Sequence, residues 1–241
     1  MSKTDAASAM TAIARIQALP QPDAIVFDLD GTLVDSVDKR IEAWLRTFEE
    51  VSIPTSRDQL KPLIGLDGKR LAREIHALAG QPIDEDRAEV VDKRSGEIYE
   101  ELNRDPQALP GVRRLFDAID ARGMKSAIAT SSRKEQVTTS VDALGLASEP
   151  TIIDASHVEH AKPEPDLLLR AAEELGVDPS RTWYVGDSTW DVVASSAAAM
   201  IPIGVLVGGA VTREALEGAG AAVVVETLDE IADALTPPAG V

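Results

Sequence analysis

Asp28-Leu29-Asp30-Gly31-Thr32 places two carboxylates two residues apart, directly after the apolar run Ala24-Ile25-Val26-Phe27. In an extended chain, residues i and i+2 face the same way, so both acids converge on one point. Like charges that close need a shared proton or a compensating cation. Gly31 lets the chain turn sharply beside them. The same pentapeptide also fits a solvated acidic turn.

Three further groups stand at comparable places. Ala127-Ile128-Ala129-Thr130-Ser131-Ser132 ends an apolar run in hydroxyls and precedes a helical pattern. It suits a bound phosphate or an ordinary helix cap. Lys162-Pro163-Glu164-Pro165-Asp166 sets a cation in a turn stiffened by two prolines. That lysine could neutralise a transferring phosphoryl group or simply face water. Gly186-Asp187-Ser188-Thr189-Trp190-Asp191 brings two acids four residues apart, on one face of a helix that starts there. Oxygen-rich clusters of this kind suit Mg²⁺, while each acid singly suits a helix N-terminus. Each group alone is ambiguous. Their order along the chain (acidic pair, hydroxyl, lysine, acidic pair) points to one site.

The elements that must position these groups are legible as periodicity. Short apolar runs at Ala24 to Phe27, Ser126 to Ala129, Thr151 to Ile153, Thr182 to Val185, Ile203 to Val207 and Val223 to Val225 read as buried strands. Helical patterns lie between them, at Val112 to Arg122, Glu135 to Leu144, Pro165 to Leu175, Trp190 to Ala199 and Thr212 to Glu217. The alternation predicts an α/β fold: a Rossmann-like parallel sheet with helices on both faces. Ligands bind such sheets at the carboxyl ends of the strands, where all four groups stand.

From Asp38 to Asn103 the pattern is helical without a strand, with stripes at Ile41, Trp44, Leu45 and Phe48 and at Leu71, Ile75 and Leu78. The expected organisation is an N-terminal extension at 1–23, a core domain at 24–37 and 104–241, and a helical cap at 38–103. In the extension, Met10, Ile13, Ile16 and Leu19 recur every three residues. They suggest a short amphipathic helix on an appended tail, or a docking segment. Pro237-Pro238 leads into a frayed end.

Composition narrows the class. The chain has 241 residues, 44% hydrophobic and 27% charged, with a formal charge of −17. That field disfavours nucleic acid and anionic membranes. Without cysteine, disulfides, zinc–thiolate sites and Cys nucleophiles are excluded. No apolar run reaches a transmembrane length, and the N-terminus lacks a secretory pattern, so a cytoplasmic protein is expected. His76, His157 and His160 fall outside every motif.

Together these motifs resemble the haloacid dehalogenase-like superfamily, in its phosphoglycolate phosphatase and β-phosphoglucomutase-like branch, from about Pro22 to Leu235. The resemblance implies roles. Asp28 would be the nucleophile that forms an aspartyl-phosphate. Asp30 would protonate the leaving oxygen and then activate water. Mg²⁺ would be held by Asp28, the Asp30 backbone carbonyl and Asp187, with Asp191 supporting the metal shell or orienting Lys162. Thr130 and the Ser131 N–H would hold phosphoryl oxygens, and Lys162 would offset their charge.

Departures sharpen the expectation. Relatives that remove halogen lack the second acid of the first motif, and phosphonoacetaldehyde hydrolases carry Ala there, whereas this chain has Asp30. β-Phosphoglucomutases have a His where this chain has Arg40, and a cap-loop Arg near Gly68. The expected enzyme is a Mg²⁺-dependent phosphatase of a small phosphomonoester, phosphoglycolate or a sugar phosphate, as a monomer or homodimer. The alternatives are a hexose phosphate mutase or a non-catalytic phospho-receiver or binding protein. Substrate choice is expected in Pro62 to Arg70, where Gly65 permits a turn and Lys69, Arg70 and Arg40 could meet a second anionic or hydroxylated group.

Overall fold

Apolar runs too short for helices, set between amphipathic helices, leave a parallel sheet as the way to bury both. The computed structural model describes residues 12–236. Its strands are β1 (Ala24–Phe27), β2 (Lys125–Ala129), β3 (Thr151–Ile153), β4 (Thr182–Gly186), β5 (Ile201–Val205) and β6 (Val223–Val225). They form one six-stranded sheet in the order β3-β2-β1-β4-β5-β6, and every pairing is parallel.

Both faces are covered. Ile25, Phe27, Trp183 and Val185 point into one core cluster; Val26 and Tyr184, one residue out of phase, point into the other. Four helices come first in the chain, α1 (Val37–Glu50), α2 (Arg57–Leu60), α3 (Gly68–Leu78) and α4 (Glu85–Leu102); the first face of the sheet packs against the later α5 (Val112–Ala121) and α10 (Leu228–Leu235) through Leu115, Phe116, Ile119 and Ile231. The second packs against α7 (Asp166–Leu175) and α8 (Thr189–Ala197) through Leu167, Leu168, Ala171 and Ala194. The remaining crossovers are α6 (Lys134–Asp142) and α9 (Arg213–Ala219).

Residues 38–103 hold helices and no strand. They contain most of α1 (Val37–Glu50), then α2 (Arg57–Leu60), α3 (Gly68–Leu78) and α4 (Glu85–Leu102). Their stripes meet in a separate cluster that includes Ile41, Trp44, Phe48, Leu71, Ile75 and Val91. Asp67 and Asp84 cap α3 and α4, their carboxylates accepting from the N–H groups of Arg70 and Arg87.

Three details differ from the sequence reading. Helix α10 was not anticipated, although Thr227 and Glu230 form a capping box at its start. Strand β5 begins at Ile201, two residues before the expected run, and takes in Pro202, whose carbonyl accepts from the Ala222 N–H at 2.9 Å. The lead-in does not hang free between 12 and 23. It is helical at 12–17, Ile16 is fully buried in the sheet's first core, and the Pro20 carbonyl accepts from Trp183 Nε1 at 3.0 Å. The expected contribution of Met10 and the frayed end from Pro237 lie outside the described residues.

Candidate active site

The carboxyl ends of β1, β2 and β4 release Asp28, Thr130 and Asp187 at one edge of the sheet, and all three are buried. Their registers bring them there. Phe27 pairs with Ile128 on one side and Val185 on the other, so the residues just beyond emerge side by side. Lys162 comes from the loop before α7 and is fully buried. Its ammonium lies 2.5 Å from Asp28 Oδ1 and 2.8 Å from Asp191 Oδ1. The Tyr184 hydroxyl, from β4, lies 3.1 Å from the same Asp191 oxygen and 3.2 Å from the Ala129 carbonyl, which share its one proton. Asp191's other oxygen accepts from the Ser188 hydroxyl at 2.6 Å and the Ser188 N–H at 3.0 Å, which closes the capping box of α8.

Asp28, Asp187 and Asp191 offer carboxylate oxygens that all lie within 4.8 Å of one another. Three carboxylates therefore face one ammonium. Burial, together with the neighbouring acids, pushes Asp28 above its ordinary range, and Asp187 well above it, even though Lys162 pulls both down. Asp187 Oδ2 is buried without a hydrogen-bond partner. An orphaned buried oxygen in an undercompensated cluster of hard ligands fits a divalent cation such as Mg²⁺. Gly31 belongs to this packing. Its φ is +81°, and a Cβ there would lie 2.2 Å from Asp187 Oδ2.

Asp30 is held elsewhere. Its Oδ1 accepts from the Ser36 hydroxyl at 2.6 Å and the Tyr99 hydroxyl at 2.9 Å. Its Oδ2 accepts from the Ser132 hydroxyl at 2.6 Å and from Arg40 Nη2 at 2.8 Å. Burial works to raise this carboxyl, but the Arg40 charge and the donated hydrogen bonds outweigh it and hold it at about 2. Among the described residues the clustered metal-competent side chains are Asp28, Asp187 and Asp191, without the Asp30 carboxylate. The Asp30 carboxylate thus stands apart from the triad, clamped by hydroxyls and a guanidinium, and the contact expected from Asp30 to a metal is its backbone carbonyl.

A cavity of about 410 Å³ opens over Asp28 and Asp30, between the sheet edge and the helical insert, and Thr130 and Ser131 line it. The Thr130 hydroxyl accepts from the Ser132 N–H at 3.1 Å. Lys162 meets the site through Asp28, from behind it, and does not line the cavity.

The residues expected to choose substrate take unequal places. Arg40 reaches into the site, but its guanidinium is engaged by Asp30, Ser132 and Gln136 and lies 3.4 Å from the Tyr99 ring centroid. Gly65 sits over the strand ends at φ +90°, and its carbonyl accepts from the Ser131 hydroxyl at 3.4 Å. Lys69 lines the cavity but is paired with Glu85 at 3.0 Å. Arg70 is outside the cavity lining and comes no nearer than 4.0 Å to Glu164. Both belong to the first turn of α3, not to a loop, because Asp67 starts the helix there. Sequence reasoning did not single out Tyr99, Gln136 or Arg133. Tyr99 is adjacent to Ile98 in an apolar stripe, which disguises its hydroxyl, and the other two sit in a polar helix start that resembles solvent-facing surface.

Comparison with known proteins agrees with the geometry. Residues 25–205 match the haloacid dehalogenase-like hydrolase family model. The chain is 32% identical to the Dickeya dadantii protein named Probable phosphatase IndB, over 87% of this chain and 92% of that one. It is 30% identical to a phosphoglycolate phosphatase of Caulobacter vibrioides, over 86% of this chain and 88% of the other. A crystal structure of a hydrolase from Pseudomonas syringae superposes with a TM-score of 0.83 at 31% identity, covering 88% of this chain and 97% of its own. With the family model matched over most of its length and a relative 32% identical over 87% of it, the chain belongs to the haloacid dehalogenase-like hydrolases and is an enzyme of that family.

Proposed function

We propose that the chain is a Mg²⁺-dependent phosphatase acting on a small phosphomonoester through an aspartyl-phosphate. The observation that carries this reading is the placement of Asp28: at the cavity floor, beside Lys162, with Asp187 and Asp191 close by.

In the first half-reaction a carboxylate oxygen of Asp28 attacks phosphorus and the bond from phosphorus to the leaving oxygen breaks; the leaving oxygen is protonated through Asp30, which is ionised beside Arg40 in the free enzyme and takes that proton up from the bound phosphate monoanion. In the second, Asp30 takes a proton from water, the resulting hydroxide attacks the phosphoryl group, and Asp28 is regenerated with release of phosphate. Splitting the displacement this way replaces one hard step by two easier ones. Thr130 and the Ser131 N–H position phosphoryl oxygens, and Lys162 offsets charge from behind Asp28, since phosphoryl transfer is governed by positioning and electrostatics. Mg²⁺ held by Asp28, Asp187 and the Asp30 backbone carbonyl, with Asp191 in support, would add positive charge at the phosphoryl oxygens. The acidic chain, with its formal −17, supports a small metabolite over nucleic acid as substrate.

The test is a panel of phosphorylated metabolites with Mg²⁺ and with EDTA. Metal-dependent release of phosphate supports the reading. Glucose 1-phosphate converted to glucose 6-phosphate without free phosphate overturns it in favour of the mutase alternative.

A further inference from the structure

The cavity's charged groups are mostly spent on one another. Of its four lining cations, Arg40 is paired with Asp30 at 2.8 Å, Lys69 with Glu85 at 3.0 Å, and Arg133 with Asp92 at 2.5 Å and Glu89 at 2.8 Å. Lys134 has no carboxylate partner among the described residues, but it is exposed and stands beside Glu135. The lining carboxylates Asp67, Glu135 and Glu159 are in no ion pair among the described residues. A second anionic group on a substrate would meet unpaired acids and, the exposed Lys134 apart, would have to break existing pairs to find a cation.

Two neutral polar side chains face the same space with donors to spare. Gln136 is 8% exposed. Its Oε1 accepts from Arg40 at 2.7 Å, while its Nε2 donates to no acceptor among the described residues. That amide nitrogen fits against α4 because Gly96 has no Cβ; one built there would lie 2.3 Å from Nε2. Ser95, next to Gly96, is 4% exposed, and its hydroxyl has no partner among the described residues. Neither atom belongs to the buried orphans of the interior, and both residues line the cavity. An amide and a hydroxyl without protein partners at the wall of a cavity are free to hydrogen-bond what enters it, as the few polar groups that line ligand sites do.

Resting on the phosphatase reading, we propose that Ser95 and Gln136 determine specificity by hydrogen-bonding hydroxyls of the leaving group, and that the substrate is a polyhydroxylated phosphate monoester without a second anionic group. Arg40 holds the Gln136 amide by its oxygen and so turns Nε2 outward; it does not bind substrate itself.

The experiment uses p-nitrophenyl phosphate with Mg²⁺ as reporter and takes glucose 6-phosphate, phosphoglycolate and fructose 1,6-bisphosphate as substrates and as competitors. The expected result is a kcat/KM, and an inverse inhibition constant, at least ~10-fold greater for glucose 6-phosphate than for phosphoglycolate or the bisphosphate, the scale of one or two lost hydrogen bonds. Ser95→Ala, and Gln136→Glu, which keeps the Arg40 acceptor and removes the Nε2 donor, should each lower kcat/KM for glucose 6-phosphate about tenfold more than for p-nitrophenyl phosphate, whose leaving group has no such hydroxyls. Phosphoglycolate or the bisphosphate equalling glucose 6-phosphate overturns the inference and leaves the phosphatase reading intact. An equal loss on both substrates in the variants also overturns it. Absence of p-nitrophenyl phosphate hydrolysis with Mg²⁺ removes the phosphatase reading and this inference with it.

Discussion

Arg40 Nη2 lies 2.8 Å from Asp30 Oδ2, and the same guanidinium stacks 3.4 Å from the Tyr99 ring centroid. The contact ties the first helix of the insert to the acid that follows β1. It gives Asp30 a fixed charge and a fixed direction, away from the triad that receives Lys162.

This pairing predicts a pH signature. The folded-state Asp30 carboxyl sits at about 2, against an ordinary 3.8. A depressed carboxyl contributes stability that is full above its unfolded value and disappears as pH falls from about 4 through about 2, on the order of 2 kcal/mol in all. In Arg40→Met, burial works unopposed by that cation, so this acid-dependent part should vanish. Urea unfolding between pH 5 and pH 2.5 reads it. The slope of stability against pH should be visibly flatter in the variant, and identical slopes would show that Arg40 does not hold Asp30.

The two acids of the first motif should separate kinetically. Asp28→Asn should reduce p-nitrophenyl phosphate turnover to background while the far-ultraviolet dichroism stays native, because among the described residues no other buried carboxylate both lines the cavity and pairs with Lys162. Asp30→Asn should lower kcat by about 10²–10⁴, the usual worth of a general acid–base. Single-turnover measurements should show both half-reactions slowed. Retained turnover in Asp28→Asn would remove the nucleophile assignment.

The orphaned Asp187 oxygen predicts a thermal response to metal. With Mg²⁺ at a hundredfold excess over its Kd, binding to the folded state stabilises by about 2.7 kcal/mol, or roughly 5–10 °C in Tm for a chain of this size. Asp187→Ala should abolish that shift. Without metal the variant should melt no lower than the parent, because it loses a buried oxygen that has no hydrogen-bond partner. A full Mg²⁺-induced shift in the variant would place the ion elsewhere.

Residues 12–23 should behave as core. Ile16 is fully buried among Ile25, Trp183 and Ile231 in the sheet's first cluster. Ile16→Ala should cost ~2–5 kcal/mol in urea unfolding, the range for large-to-small changes in packed interiors. A change under ~0.5 kcal/mol would fit a tail that merely rests on the surface.

How much was visible beforehand follows from what each signal depends on. Strand ends and motif acids are legible because Asp28, Thr130 and Asp187 each follow a continuous apolar run, and a strand covered on both faces ends where that run gives way to polar residues. Tyr99 was not legible, since an aromatic in a helical stripe reads as packing whether or not its hydroxyl reaches Asp30. Arg40 is legible as a cation near the site, but its partners are not. Its spacing places it near the site, while only tertiary contact shows that Asp30, Ser132 and Gln136 absorb its donors. Ile16 was discounted because a short amphipathic stretch beside an Ala-rich terminus looks the same free or docked. Periodicity names faces, and it does not name the partner each face meets.

Gly65 brings the insert against the residues that follow the strand ends. Gly65 adopts φ +90°, and a Cβ there would lie 2.6 Å from the Ser188 hydroxyl and 2.9 Å from Ser188 Cβ. Gly65→Ala therefore introduces both backbone strain and a clash against the residue that caps α8 and hydrogen-bonds Asp191. The clash lifts the insert away from the sheet edge, lets water reach the aspartyl-phosphate site, and disturbs Asp191 beside Lys162. Expected are a fall in kcat of at least ~10-fold and a modest fall in Tm. Ser188→Gly removes the obstructing side chain at a capping cost of only a few tenths of a kcal/mol. In Gly65→Ala/Ser188→Gly the steric part should be relieved, so the double variant should be more active than Gly65→Ala alone, with a coupling energy of ~0.5–3 kcal/mol between the sites. Strictly additive effects on kcat and Tm would show that the glycine is needed for its φ alone and that the approach to Ser188 carries no weight in closing the site.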